Sequence, residues 1–259
     1  MYSDCHIHIE RGPYTIEWIK EFINQAQYMG LNEIYLLEHT HRFFEFKGLY
    51  SNIMLYNDFQ RDWLSNKKMQ SITDYINLIE VCKKIKFPIS VKFGLEICYE
   101  PGKENLIKNI TSNYNFDFLV GSIHSIDGFE YDLYPESWVG KNVNILYRRY
   151  YEITLEAINS NLFDGIAHPD AIKCFGHNST LDMSKYYLKM ALLINKNRMY
   201  IEDNGGLMLN YGYKKELGMN EKMRMIFKEN HVNIKLASDA HIPEHVGKNI
   251  KSLSKLWSY

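Results

Sequence analysis

Two hydrophobic rhythms alternate along this chain. Short runs that are apolar at nearly every position, such as Ile34-Tyr35-Leu36-Leu37, are followed by longer stretches whose apolar positions fall three and four apart. The first rhythm predicts strands covered on both faces, and the second predicts helices with one face on a core. Thr15 is placed to cap a helix carrying Ile16, Ile19, Phe22, Ile23 and Ala26 on one side, stopped near Gly30. A later helix carries Tyr75, Leu78, Ile79, Cys82 and Ile85 and is broken by Pro88 before a strand over 89–95. Helical residues around 104–111 lead to a strand over 116–123, a loop over 125–142, a helix over 145–159 and a short strand at 165–167. Helices over 182–195 and 221–229 each precede a strand, at 199–202 and 233–237, and Val246, Ile250, Leu253 and Trp257 mark a closing helix.

With an opening strand before the first helix, this makes seven strand-helix repeats without a linker. Such alternation argues for one α/β domain over 1–259, with a parallel sheet and right-handed crossovers. The rhythm fades only over 42–70, where Phe43, Phe44, Phe46, Tyr50, Tyr56, Phe59 and Trp63 are mixed with charges and amides. A connection of that length inside a compact domain is expected to be an insertion beside a site, as a lid or pocket wall, or aromatic packing over a barrel rim.

Composition narrows the function classes. A formal charge of -1 with dispersed Lys and Arg leaves no footprint for nucleic acid or an anionic membrane. No stretch approaches the roughly 20 apolar residues that span a bilayer, and the first residues lack a signal-peptide pattern, so a cytoplasmic protein is expected. Cys5, Cys82, Cys98 and Cys174 show no Cys-x-x-Cys spacing and are expected to be reduced core residues. Nothing in the sequence sets an oligomeric state.

The candidate chemistry sits where the strands end. His6-x-His8 places two imidazoles on one face of an extended strand, within reach of one metal ion. Alone the motif decides little, since chance gives roughly 0.4 such spacings in a chain with ten histidines. Yet His39, Glu96, His124, His168, and Asp239 with His241 also fall at or just beyond strand ends. In a parallel barrel those ends form one mouth, which is where active sites lie.

Asp4-x-His6-x-His8, Glu38-His39, Gly94-Leu95-Glu96, Gly121-Ser122-Ile123-His124, Ala167-His168-Pro169-Asp170 and Ser238-Asp239-Ala240-His241 resemble the successive motifs of the PHP (polymerase and histidinol phosphatase) superfamily, closest to its histidinol-phosphatase branch. The resemblance implies a distorted seven-stranded (β/α)7 barrel, TIM-barrel-like, binding two or three divalent ions (Zn, Mn or Fe) and hydrolysing a phosphate monoester. It implies a first metal among His6, His8, Glu96 and Asp239, a second at His124 and His168 bridged by Glu96, and a third at His39 and His241. Glu96, Asp239 and His241 are the implied catalytic residues. Relatives commonly have a histidine at the position of Tyr14, and Glu10, on the face of His6 and His8, is the expected replacement ligand for the third metal. Arg42, Lys173 and His41 are candidates for gripping the phosphate or substrate, and Asp4 for orienting a ligand imidazole. L-Histidinol phosphate, a step of histidine biosynthesis, is the first expected substrate. The alternatives are another sugar or nucleotide monophosphate, or a metal-binding module without turnover. A nuclease or polymerase-editing role lacks a basic track, and an amidohydrolase would usually carry lysine where this chain has Glu96.

Overall fold

The apolar runs form the staves of a barrel in the computed structural model, which describes residues 2–258. The strands are β1 (Tyr2–His8), β2 (Leu31–Leu37), β3 (Ser90–Cys98), β4 (Phe118–Ser122), a hairpin of β5 (Ser125–Ile126) and β6 (Phe129–Glu130), then β7 (Gly165–Ile166), β8 (Tyr200–Asn204) and β9 (Ile234–Ala237). Outside the hairpin they form one parallel sheet in the order β1-β2-β3-β4-β7-β8-β9. The Asp239 N–H donates to the His6 carbonyl at 3.0 Å and the His8 N–H to the Ala240 carbonyl at 2.7 Å. Those two bonds tie the exit of β9 to the exit of β1 and draw the sheet into the expected (β/α) barrel.

The helices are α1 (Ile16–Tyr28), α2 (Ser51–Tyr56), α3 (Asp58–Ser65), α4 (Ile72–Cys82), α5 (Glu104–Thr111), α6 (Val143–Asn159), α7 (Ser184–Lys196), α8 (Gly206–Asn210), α9 (Glu221–Glu229) and α10 (Ile250–Trp257). Thr15 caps α1 as expected, its hydroxyl accepting the Trp18 N–H at 3.2 Å, and Ile19, Phe22, Ile23 and Ala26 are buried against the sheet. All four cysteines are buried and unpaired. No helix among the described residues is long and apolar enough to cross a membrane.

Two segments carry more structure than their patterns suggest. Residues 42–70 form a strap of short helices whose ends are stapled together: the Phe44 N–H donates to the Gln70 carbonyl at 3.1 Å and the Gln70 N–H to the Arg42 carbonyl at 2.9 Å. Asn57 caps α3 through Gln60, while Phe43, Phe46, Leu49, Tyr50 and Ile53 sink into the core. The helices are only six and eight residues long, too short to show a clear period. Within 125–142 lies the β5–β6 hairpin, turned by Asp127 (φ +50°) and Gly128 (φ +88°). Two successive positive φ values match the right-handed twist of the flanking strands, and Asp-Gly is among the pairs that tolerate them best.

Candidate metal centre

The C-terminal ends of β1, β2, β3, β4, β7 and β9 deliver side chains to one point, and Glu96 stands at its middle. Glu96 Oε1 lies 2.9 Å from both His124 Nε2 and His168 Nε2. Its Oε2 lies 3.5 Å from His6 Nε2, 3.4 Å from His8 Nε2 and 3.2 Å from His39 Nε2. Asp239 Oδ1 adds a second focus, 3.8 Å from His6 Nε2 and 3.5 Å from the Nε2 atoms of His8 and His241. Burial alone would raise the Glu96 carboxyl, but His39 and His6 beside it and the bonds to His124 and His168 hold it well below the usual range. His8 is driven the other way, lowered by burial and by His39 and His241.

Backbone strain marks two of these positions. His168 has φ +25° and Asp239 φ +58°, in the left-handed region that side chains with a Cβ seldom occupy. Each costs on the order of 1–3 kcal/mol and persists where surrounding structure enforces it. Gly206, which opens α8, leaves room for Asp239: a Cβ there would collide with its carboxylate.

Behind the inner nitrogens stands an outer ring of carboxylates. His6 Nδ1 lies 3.0 Å from Glu202 Oε1, His124 Nδ1 2.7 Å from Asp132 Oδ2, His39 Nδ1 3.2 Å from Glu10 Oε2 and His241 Nδ1 3.0 Å from Glu10 Oε1. A carboxylate accepting the Nδ1 proton leaves the Nε2 lone pair pointing inward, the tautomer that ligates a metal. His6 Nε2 and His8 Nε2 are only 3.0 Å apart, and the buried Glu96 Oε2 has no hydrogen-bond partner. Facing lone pairs beside an unsatisfied buried carboxylate oxygen are what a divalent cation would complete, so the donor set fits zinc, manganese or iron. Four trios have ligand atoms within 4.8 Å of one another: His6, His8 and Glu96; Glu96, His124 and His168; His8, Asp239 and His241; and Glu10, His39 and His41.

Several residues lie elsewhere than expected. The His39 and His241 rings lie 5.7 Å apart at an 11° tilt, and each stacks on the His8 ring, at 3.8 and 4.4 Å. Lys173 is corrected as a phosphate ligand. It is buried, and its Nζ is bound to Asp170 (2.6 Å), Glu216 (2.8 Å) and the Gly218 carbonyl (2.8 Å). Arg42 is corrected too: it lines a neighbouring groove with Arg11, Tyr14 and Gln70, its Nε 3.8 Å from Glu38. Asp4 touches no imidazole. Its carboxylate accepts the Ser238 and Gly247 N–H groups, each at 2.8 Å, and pins the β9 exit to β1.

The cluster floors a cavity of about 270 Å³. His41 lines it, its ring 4.9 Å from His39 and 6.0 Å from Trp63. Lys67, unnoticed in the sequence, is the one Lys or Arg among the described lining residues, its Nζ 4.5 Å from the Trp63 ring centroid and its pKa lowered by burial. Glu130 and Asp132 line the cavity as well, the Glu130 N–H donating to Gln60 Oε1 of the strap at 3.1 Å. Glu130 is buried, and burial with the adjacent Asp132 pushes its pKa well up. Glu202 and Asp132 were also missed. Glu202 shares the inward strand face with Asn204, a period-two signal, whereas nothing in the sequence links Asp132 to His124.

Seven parallel strands with imidazoles and carboxylates gathered at their C-terminal mouth define a (β/α) barrel whose donor clusters could hold metal ions. A family model for the PHP domain matches residues 4–205, and the chain belongs to that family. It is 29% identical over 189 residues to a Deinococcus radiodurans protein named "Probable histidinol-phosphatase", covering 70% of this chain and 69% of the relative. It is 26% identical over 174 residues to a Schizosaccharomyces pombe protein of the same name, covering 62% of this chain and 56% of the relative. Among solved structures, the Lactococcus lactis histidinol phosphate phosphatase complexed with zinc, L-histidinol and phosphate superposes with a TM-score of 0.67 at 18% identity, covering 99% of this chain and 92% of that one. A Listeria monocytogenes protein assigned as histidinol phosphatase hisK gives 0.77 at 17% identity, covering 96% and 99%.

Proposed function

We propose that this protein is a metal-dependent phosphatase of small phosphate monoesters, with L-histidinol phosphate as its substrate. The observation that carries the reading is Glu96, one buried carboxylate facing five imidazole nitrogens at the floor of a small cavity. His6, His8, Glu96 and Asp239 would hold one ion, and Glu96 with His124 and His168 a second. His39, facing Glu96, and His241, facing Asp239, would complete the shell around two or three ions of zinc, manganese or iron. Divalent ions held there would supply an acidified water as nucleophile and positive charge against the phosphoryl oxygens.

The protein's own groups divide the remaining work. Lys67, partly desolvated against Trp63, supplies a cation for a free phosphate oxygen. His41 and Trp63 offer ring faces to the substrate's imidazole. The cavity admits a small monoester rather than a polymer, and the strap over 42–70 serves as its wall within a single domain. Four buried, unpaired cysteines suit a reducing cytoplasmic compartment. The relatives' names and the zinc, L-histidinol and phosphate of the Lactococcus lactis structure support the substrate.

Phosphate release from L-histidinol phosphate, beside a panel of sugar and nucleotide monophosphates, tests this in protein loaded separately with zinc, manganese or iron. The proposal expects the highest kcat/KM on histidinol phosphate. Preference for a sugar or nucleotide ester would move the substrate while keeping the phosphatase, and no release from any ester would remove both.

A further inference from the structure

Glu10 stands where it can serve two imidazoles at once. One of its oxygens lies 3.2 Å from His39 Nδ1 and the other 3.0 Å from His241 Nδ1. Both rings turn their opposite nitrogens to the cluster, His39 Nε2 at 3.2 Å from Glu96 and His241 Nε2 at 3.5 Å from Asp239. The His8 ring stacks on both, within 8° of one and 6° of the other. We infer that Glu10 is a positioning residue and not a metal ligand: one carboxylate accepts the Nδ1 protons of His39 and His241 together and so aims both Nε2 lone pairs at the centre.

The chemistry of the two groups supports this arrangement. A neutral imidazole carries one ring proton, so fixing it on Nδ1 leaves the lone pair on Nε2. An ionised carboxylate only accepts, and its two oxygens can satisfy two donors. Glu202 and Asp132 do the same for His6 and His124, one carboxylate to one ring. Of the three carboxylates Glu10 alone spans a pair, so its loss should misalign two ligands in a single step. A glutamine there keeps size and shape but can accept from only one ring. Its amide N–H₂ would face the other Nδ1 and favour the tautomer with the proton on Nε2, which removes that lone pair from the centre.

The inference rests on the cluster being a metal centre, and the test separates the two. Crystals of wild-type protein loaded with zinc are measured at the zinc absorption edge, and metal-free wild type and Glu10→Gln are titrated with zinc against a competing chelator. Expected are anomalous peaks at bonding distance, roughly 2.0–2.1 Å, from His39 Nε2 and His241 Nε2 and none that close to Glu10. The variant is expected to bind its weakest ion about 10–100-fold less tightly, while its metal-free thermal midpoint stays at the wild-type value. An ion bonded to a Glu10 oxygen, or unchanged zinc affinity in the variant, overturns the positioning role and leaves the metal centre standing. No zinc in the wild type overturns both.

Discussion

The cavity has two walls built on different principles. The inner wall, around His6, His8, Glu96 and Asp239, stands at the ends of β1, β3 and β9 of one parallel sheet, and its positions are set by the sheet's register. Each of four imidazoles is further held from behind by a carboxylate. The outer wall joins His41, just past β2, to Trp63 and Lys67 of a strap that reaches the site through packing of Phe43, Phe46 and Tyr50 on the core. A reaction that needs charged groups fixed to within a fraction of an ångström uses the sheet, whereas a wall that only has to suit one substrate can vary with the strap.

The comparison breaks most sharply at Glu96. Glu96→Ala removes the acceptor shared by five imidazoles and should lower kcat by at least about 10³-fold, since metal-derived stabilisation is worth several kcal/mol and each 1.36 kcal/mol is a factor of ten. Retained turnover would show that the inner wall does not carry the chemistry. Lys173→Met sharpens the contrast from another side. It strands the buried Asp170 and should cost about 3–5 kcal/mol in denaturant unfolding, with KM for the ester unchanged in the folded fraction. A raised KM at full stability would return Lys173 to the substrate.

Carboxylates behind the ring should matter less than Glu96. Glu202→Gln and Asp132→Asn should each weaken metal binding about 10–100-fold in chelator competition, and no change would reduce the outer ring to packing. Smallest is the strap: Lys67→Met should raise KM about tenfold with kcat little altered, the loss of roughly one exposed-to-partly-buried charged contact. A fall in kcat equal to the loss in kcat/KM would instead place Lys67 in the transition state.

The same division explains what the sequence disclosed. Strand ends are legible because a period of two fixes which side chains share a face, and six of the seven apolar runs end in a ligand type. Glu202 is the instructive miss. The apolar pattern stops there, but β8 runs on to Asn204, so Glu202 and Asn204 face inward while Asp203 faces out to Arg224 and Trp257. Lys173 followed a strand end by number, yet the 3-10 turn over Ala171–Lys173 carries it into an ion-paired interior. Lys67 and Asp132 depend on how a strap and a hairpin fold back over the mouth, a long-range fact that no local period encodes. Glu10 drew notice through its shared face with His6 and His8, but that it meets the Nδ1 atoms of His39 and His241 is a contact across 29 and 231 residues that no local period encodes.

The most direct test of the central claim, that these side chains meet around divalent ions, is the metal content of the protein purified without added metal, determined by elemental analysis beside Glu96→Ala. The account predicts two or three zinc, manganese or iron ions per wild-type chain and fewer than one in the variant. A wild-type protein that is folded, free of metal and active on histidinol phosphate would contradict it.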